Sequence, residues 1–218
     1  ERDTDARMAR TRNRPLPTGR VTPRASLVFG AALSAAGFVD LWLGTGRLAA
    51  MLGLLTLAMY LLLYTPLKRM HPVCTTVGAL PGAMPPLIGF AAAAGTLDAR
   101  AWLLGAVLFL WQFPHFLSIA WMYREDYARG GLAMVSSEKA MAGQIVVSAL
   151  LLIPASAVLG MLGGGALYLS GALALGSAYL WASCRTAAAL TRARARQLLL
   201  ASVAYLPLLY LFLLIDRR

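Results

Sequence analysis

Charge is scarce in this chain: 13% of its 218 residues are Asp, Glu, Lys or Arg, about half of the roughly 25% usual in soluble domains. Histidine and cysteine are rarer still. Cys74 and Cys184 stand far apart, with no CxxC or CxxH spacing. They carry no disulfide or metal signature and read as small apolar filler. A net charge of +11 would point to nucleic acid in a soluble protein, but nearly all the non-basic sequence is apolar. That excludes a nucleic-acid binder. Arginines placed between apolar runs suit membrane orientation and contact with anionic lipid or phosphate instead. No secretory signal peptide is visible.

What the chain has is hydrophobic length, 59% of its residues being apolar. A spanning helix needs about 20 such residues in a row. Seven stretches qualify, near 25–44, 47–64, 74–95, 100–123, 140–160, 164–184 and 197–215. The fold class expected is all-α, a polytopic membrane helical bundle. The gaps between these stretches alternate, short and then long and polar. Sixteen of the twenty basic residues fall on the long-loop side, leaving Arg47, Arg100, Arg217 and Arg218 on the other. The positive-inside rule makes the long-loop side cytoplasmic. A bacterial inner membrane is expected, with a mitochondrial inner membrane as the alternative.

The acids also sort by side, and the positive-inside rule does not explain why. Glu1, Asp3, Asp5, Glu125, Asp126 and Glu138 share the basic side, whereas Asp40, Asp98 and Asp216 lie opposite. Acids set among arginines at one membrane face look like a metal-and-phosphate site. The third stretch holds Pro81, Pro85 and Pro86 with Gly78, Gly82 and Gly89. Backbone groups freed there must be re-satisfied against protein or a cavity, so a kinked helix lining a binding cavity is expected.

Three segments carry chemistry. In ERDTDARMARTRNRPLPTGR, residues 1–20, Glu1 and Asp5 share one helix face and could hold one divalent ion. Arg10, Arg12, Arg14 and Arg20 follow as diphosphate partners. On spacing alone a solvated juxtamembrane loop accounts for this segment at least as readily. In YTPLKR, residues 64–69, Tyr64, Lys68 and Arg69 could meet phosphate oxygens. An interfacial aromatic beside a snorkelling base is the simpler reading of that segment alone. In WQFPHFLSIAWMYREDYARGGLAM, residues 111–134, His115 is an ionisable group inside a span, where such groups are costly. It could meet a porphyrin, move a proton or bond a neighbouring helix. Asp126 follows as a candidate ligand for a second metal ion.

These segments, in this order relative to the spans, resemble the UbiA superfamily of intramembrane prenyltransferases, and within it the branch that farnesylates haem. Asp5, Met8, Arg10, Thr11 and residues 14–20 fit the family's aspartate-rich motif. YTPLKR fits its Tyr-x-x-x-Lys motif, and residues 111–134 fit the segment that distinguishes the haem branch. TTVGALPGAMPPLIGFAAA and ASVAYLPLLYLFLLID also look familial. The resemblance implies one prenyltransferase domain over residues 1–218. Its site would use Glu1, Asp5 and Asp126 as Mg²⁺ ligands and Arg10, Arg14, Lys68 and Arg69 on the diphosphate. Asp5, Tyr64, Lys68 and Asp126 would be catalytic, with His115 toward haem. The implied substrates are farnesyl diphosphate and haem b, with haem A synthase or oxidase-assembly proteins as partners in the lipid bilayer.

Departures from the pattern are visible. The motif's leading Asn would precede Glu1, and the family's usual nine spans exceed the seven counted here. Both lead to the expectation that a natural N-terminal part is missing. Asp126 has Gly130 four residues on where many members have a second Asp, so it carries over as a single acid with Glu125 beside it. The competing readings are a prenyltransferase acting on a quinone precursor or chlorophyllide and, in another class, a small transporter.

Overall fold

Short polar residues and proline set where the helices begin. Thr22 accepts from the Ala25 amide with Pro23 at the first helical position, opening α2 (Pro23–Gly44). Asp98 accepts from Arg100 and Ala101 to open α7 (Ala99–Met122). Ser137 does the same for α9 (Glu138–Gly163) and Thr191 for α11 (Arg192–Ile215). Each cap satisfies an amide that has no partner inside its helix. The structure is a computed structural model and describes residues 1–134 and 137–216. Arg217 and Arg218, assigned above to the short-loop side, lie outside the described residues.

The remaining elements are α1 (Arg2–Arg7), α3 (Arg47–Ala58), a π-helical turn (Met59–Tyr64) and α4 (Thr65–Leu67), then α5 (Cys74–Gly82), α6 (Met84–Ala94), α8 (Arg124–Arg129) and α10 (Ala166–Ala188). Among the described residues, seven helical segments are long and apolar enough to cross a membrane, and their ends fall within a few residues of the sequence limits. The second span runs unbroken from Arg47 to Leu67 through the π turn. The third breaks at Ala83 into α5 and α6, where Pro85 and Pro86 open the second piece without needing amide partners. The chain is an integral, multi-pass helical bundle.

Helices α7, α9, α10 and α11 pack on one another and hold most of the buried core, including Ile145, Leu152, Tyr168, Tyr179, Leu198 and Leu209. Interhelical polar bonds stitch this unit. Tyr179 donates to the Trp111 carbonyl at 3.2 Å, Tyr168 to the Ser156 carbonyl at 3.1 Å, and Ser156 Oγ lies 3.0 Å from the Tyr205 hydroxyl. Such bonds between membrane helices average about 0.6 kcal/mol. At the short-loop end, Asp216 accepts from the Tyr168 amide at 2.8 Å and ties α11 to the start of α10. The other side of the bundle is built by α3 against α5 and α6, with α2 on α3. No α2 residue is buried, as suits a helix facing lipid.

Candidate functional site

Residues 1–22 fold back on themselves at the basic end of the bundle. The Asp5 amide donates to the Glu1 carbonyl at 2.8 Å, placing the two acids one turn apart. Thr11, 2% exposed, donates its hydroxyl to the Asp5 carbonyl at 2.8 Å. Arg14 donates to the Asp5 carboxylate at 3.1 Å. Asp3 is exposed and pairs with its neighbour Arg2, so it points away from Asp5.

The three chemistry-bearing segments meet at this end. Arg69 donates to the Thr4 hydroxyl at 2.7 Å, and buried Lys68 forms an ion pair with Glu1. The Lys68 carbonyl accepts from the Ala133 amide at 2.8 Å, joining the second segment to the third. Asp126 on α8 joins the third to the first, accepting from the Ala9 and Arg10 amides at 3.1 and 3.4 Å and from Arg129 at 2.6 Å. The Arg10 guanidinium sits 4.7 Å from the centre of the Tyr123 ring. No two of these segments are close in sequence.

Electrostatics follow from these contacts. Burial and then the Arg69 charge hold the Lys68 ammonium below the usual lysine range, so it benefits from an anion nearby. Burial would raise the Asp126 carboxyl, but the Ala9 amide, the Arg129 guanidinium and the Arg10 amide together hold it below the usual carboxylate range.

Glu1 and Asp5, expected to share one divalent ion, stand one helical turn apart, and Asp126, expected to serve a second ion, lies apart on α8 among partners of its own. Among the described residues no three His, Cys, Asp or Glu side chains stand close enough to share an ion. The reason is that each acid has its own cationic or amide partners. Asp126 in particular already accepts three hydrogen bonds, and a carboxylate offers about four acceptor positions. Glu1 and Asp5 remain as hard-oxygen donors on one helix face. Mg²⁺ characteristically takes one or two carboxylates plus substrate phosphates, so that pair fits the ion.

An apolar cavity of about 600 Å³ lies between the second, third and fourth spans, within the size range of small-molecule sites. Its walls include Thr56 and Tyr60 of the second span, Gly78 and Pro81 of α5, and Phe116 of α7. The broken third span lines a cavity, as expected from its prolines. Tyr64, Tyr127 and Met134 bring the cavity to the basic end. Asp5 and Arg14 border a second hollow of about 570 Å³ beside the start of α2.

His115 does not help to build that wall, which its α7 neighbours Gln112, Phe116 and Ile119 supply. Its Nδ1 lies 2.8 Å from Ser202 Oγ on α11, and its ring stacks on Trp111. Ser202 donates its only hydroxyl proton to the Leu199 carbonyl at 2.6 Å. Of the roles open in the sequence, the bond to a neighbouring helix is the one this geometry displays.

Sequence reasoning passed over Gln112 and Thr4 and named Thr11 only as a motif position, without a role. Gln112 is 2% exposed and donates to the Ala79 and Leu108 carbonyls, each at 3.1 Å. The signal was present, since an amide inside an apolar span needs partners. Thr4 gave none, because Thr is ordinary in polar segments.

The chain matches the UbiA prenyltransferase family over residues 1–213. A protoheme IX farnesyltransferase of Solibacter usitatus is 55% identical, the match covering all of this chain and 76% of the relative. Relatives of the same name from Koribacter versatilis and Sorangium cellulosum are 44% and 43% identical, with 100% and 99% of the chain covered and 74% and 79% of the relatives. No solved structure matches the chain. With a motif-bearing basic end closing over an apolar cavity, and relatives this similar along its whole length, the chain belongs to the UbiA prenyltransferase family.

Proposed function

We propose that this prenyltransferase moves the farnesyl group of farnesyl diphosphate to a vinyl group of haem b, giving haem O, at the cytoplasmic face of a bacterial inner membrane. The observation that carries the reading is the convergence of Lys68 on Glu1, Arg14 on Asp5 and Arg69 on Thr4 at the end of the bundle where an apolar cavity reaches the surface. An isoprenoid diphosphate has the same division, a charged head on a long apolar tail. The names of the relatives support haem as acceptor.

Entry of the diphosphate would exchange ion pairs. Lys68 and Arg14 turn from Glu1 and Asp5 to the phosphate oxygens, and the carboxylates are left to hold Mg²⁺. Bound there, Mg²⁺ would neutralise diphosphate charge as a Lewis acid. Lys68, Arg69 and Arg10 stabilise the anion that develops as the allylic C–O bond breaks. The allylic cation faces the rings of Tyr60, Tyr64 and Tyr127, whose quadrupoles attract it. The apolar walls keep bulk water from quenching it. The haem vinyl group then attacks the cation, and water adds to the new cation, losing a proton to the released diphosphate, to give the hydroxyethylfarnesyl side chain.

The test is diphosphate release by membranes that contain the full chain. Release requiring farnesyl diphosphate, haem b and Mg²⁺ together is expected. Release driven by a quinone precursor in place of haem would move the enzyme to another branch, and no release at all would favour transport.

A further inference from the structure

Beside Asp126, on the side of α8 facing the α10–α11 connection, lies a polar pocket of about 430 Å³ bordered by Trp121, Arg124, Arg129 and Arg192. It is distinct from the apolar cavity, and the reaction described above makes no use of it. Glu125 and Asp126 are the acids at its edge. Asp126 is already bound by the Ala9 and Arg10 amides and by Arg129. Among the described residues, neither Arg124 nor Arg192 pairs with a carboxylate.

Arg124 lies over the Trp121 ring at 4.6 Å and donates to the Trp121 carbonyl at 3.3 Å. A guanidinium carries five N–H donors, so it retains donors for a ligand. Trp121 is 7% exposed, and its indole Nε1 has no hydrogen-bond partner among the described residues. A buried indole N–H usually has one. Two arginines without acids share the border of one pocket with the Trp121 ring, and what they lack is an anion with planar oxygens. Arginine matches carboxylate oxygens in a two-pronged geometry.

We propose that this pocket binds the propionate carboxylates of the porphyrin, with Arg124 and Arg192 as the principal contacts. The proposal rests on the haem reading given above and adds an orientation to it. Protohaem carries its propionates on the edge opposite its vinyl groups. Carboxylates held at the polar surface therefore direct the vinyl edge inward, past Asp126, toward the residues that take the diphosphate. Arg124 and Arg192 act as binding residues and touch no reacting atom.

The experiment uses the full chain in phosphatidylcholine vesicles, with haem b and haem b dimethyl ester as alternative acceptors. Arg124→Gln and Arg192→Gln are both exposed changes that leave the core untouched. Each is expected to raise the KM for haem b about tenfold, the scale of one charge-assisted hydrogen bond. The KM for farnesyl diphosphate should stay within twofold. Esterification should cost the unaltered enzyme a similar factor and cost the variants little more, because both changes remove the same contact. Equal losses on acid and ester, or a KM change confined to farnesyl diphosphate, overturn the proposal. So does a variant effect seen only when phosphatidylglycerol is added, which would make the pocket a lipid-headgroup site. If the unaltered enzyme binds and farnesylates haem while neither substitution nor esterification matters, the pocket proposal fails alone. If the unaltered enzyme makes no haem O, the proposal falls together with the functional reading.

Discussion

Asp126 illustrates how a residue located in a sequence can show a further role once the chain is folded. Its place in an acidic pair at a membrane face suggested a metal ligand. Its oxygens also accept from the amides of residues 9 and 10 and from Arg129, which makes it a clamp between the first segment and α8. Asp126→Ala should lower kcat/KM at least 100-fold while leaving the helical bundle intact, measured as turnover beside circular dichroism. The pH dependence has a definite sign. The folded carboxyl is held below the ordinary value near about 3.9. Its stabilising contribution is thus complete above that value and lost only as pH falls through the lowered one. Protection of residues 1–22 from an acid-active protease should persist at about pH 5 and fail only in stronger acid; loss near neutrality would contradict the clamp.

Lys68 and His115 make a second contrast at this scale. Both are titratable groups near or within spans, and both carried functional readings before the fold was known. Lys68 is buried among the acids and arginines of the basic end. Lys68→Met should reduce kcat by about 100- to 1000-fold, as removal of one donor from a developing anion does elsewhere. His115 bonds Ser202 within the bundle. His115→Ala should cost about 0.6 kcal/mol of stability, and not more than about 1.7, with the haem KM unchanged. A tenfold rise in that KM would restore the haem-contact role.

At the level of elements, span positions were legible because a bilayer demands a minimum apolar length, and seven runs met it. The break of the third span was legible for the same kind of reason, since prolines cannot donate to a helix ladder. The π turn at Met59–Tyr64 left no mark in the sequence. Its effect is to bring the Tyr64 ring so close to α5 that a Cβ on Gly78 would lie 2.6 Å from it. That close approach explains the glycine. Thr56, two helical turns deeper than Tyr64 on the same cavity, offers an element-scale test. Thr56→Phe should shorten the tail pocket and shift preference from farnesyl toward geranyl diphosphate by about tenfold, within the range that steric pocket changes give. Unchanged chain-length preference in steady-state competition would place the tail elsewhere.

For the whole molecule, the sequence supplied every segment of the candidate site but not the way they assemble. Helices that are apolar nearly all round carry no stripe to name their neighbours. The contacts that unite residues 1–20, 64–69 and 111–134 are therefore invisible until the chain is folded. Lys68 with Glu1, Arg69 with Thr4 and Asp126 with the Ala9 amide are such contacts. So is the distribution of the acids, which looked like one cluster in sequence, although among the described residues no three of them stand close enough to share an ion. The central claim is that this assembled end joins a farnesyl group to haem. The most direct measurement is the mass of haem extracted from membranes that contain the full chain, supplied with haem b, farnesyl diphosphate and Mg²⁺. The account predicts a pigment heavier by one farnesyl group and one hydroxyl group, absent with Lys68→Met. Unmodified haem beside a prenylated quinone precursor would contradict it.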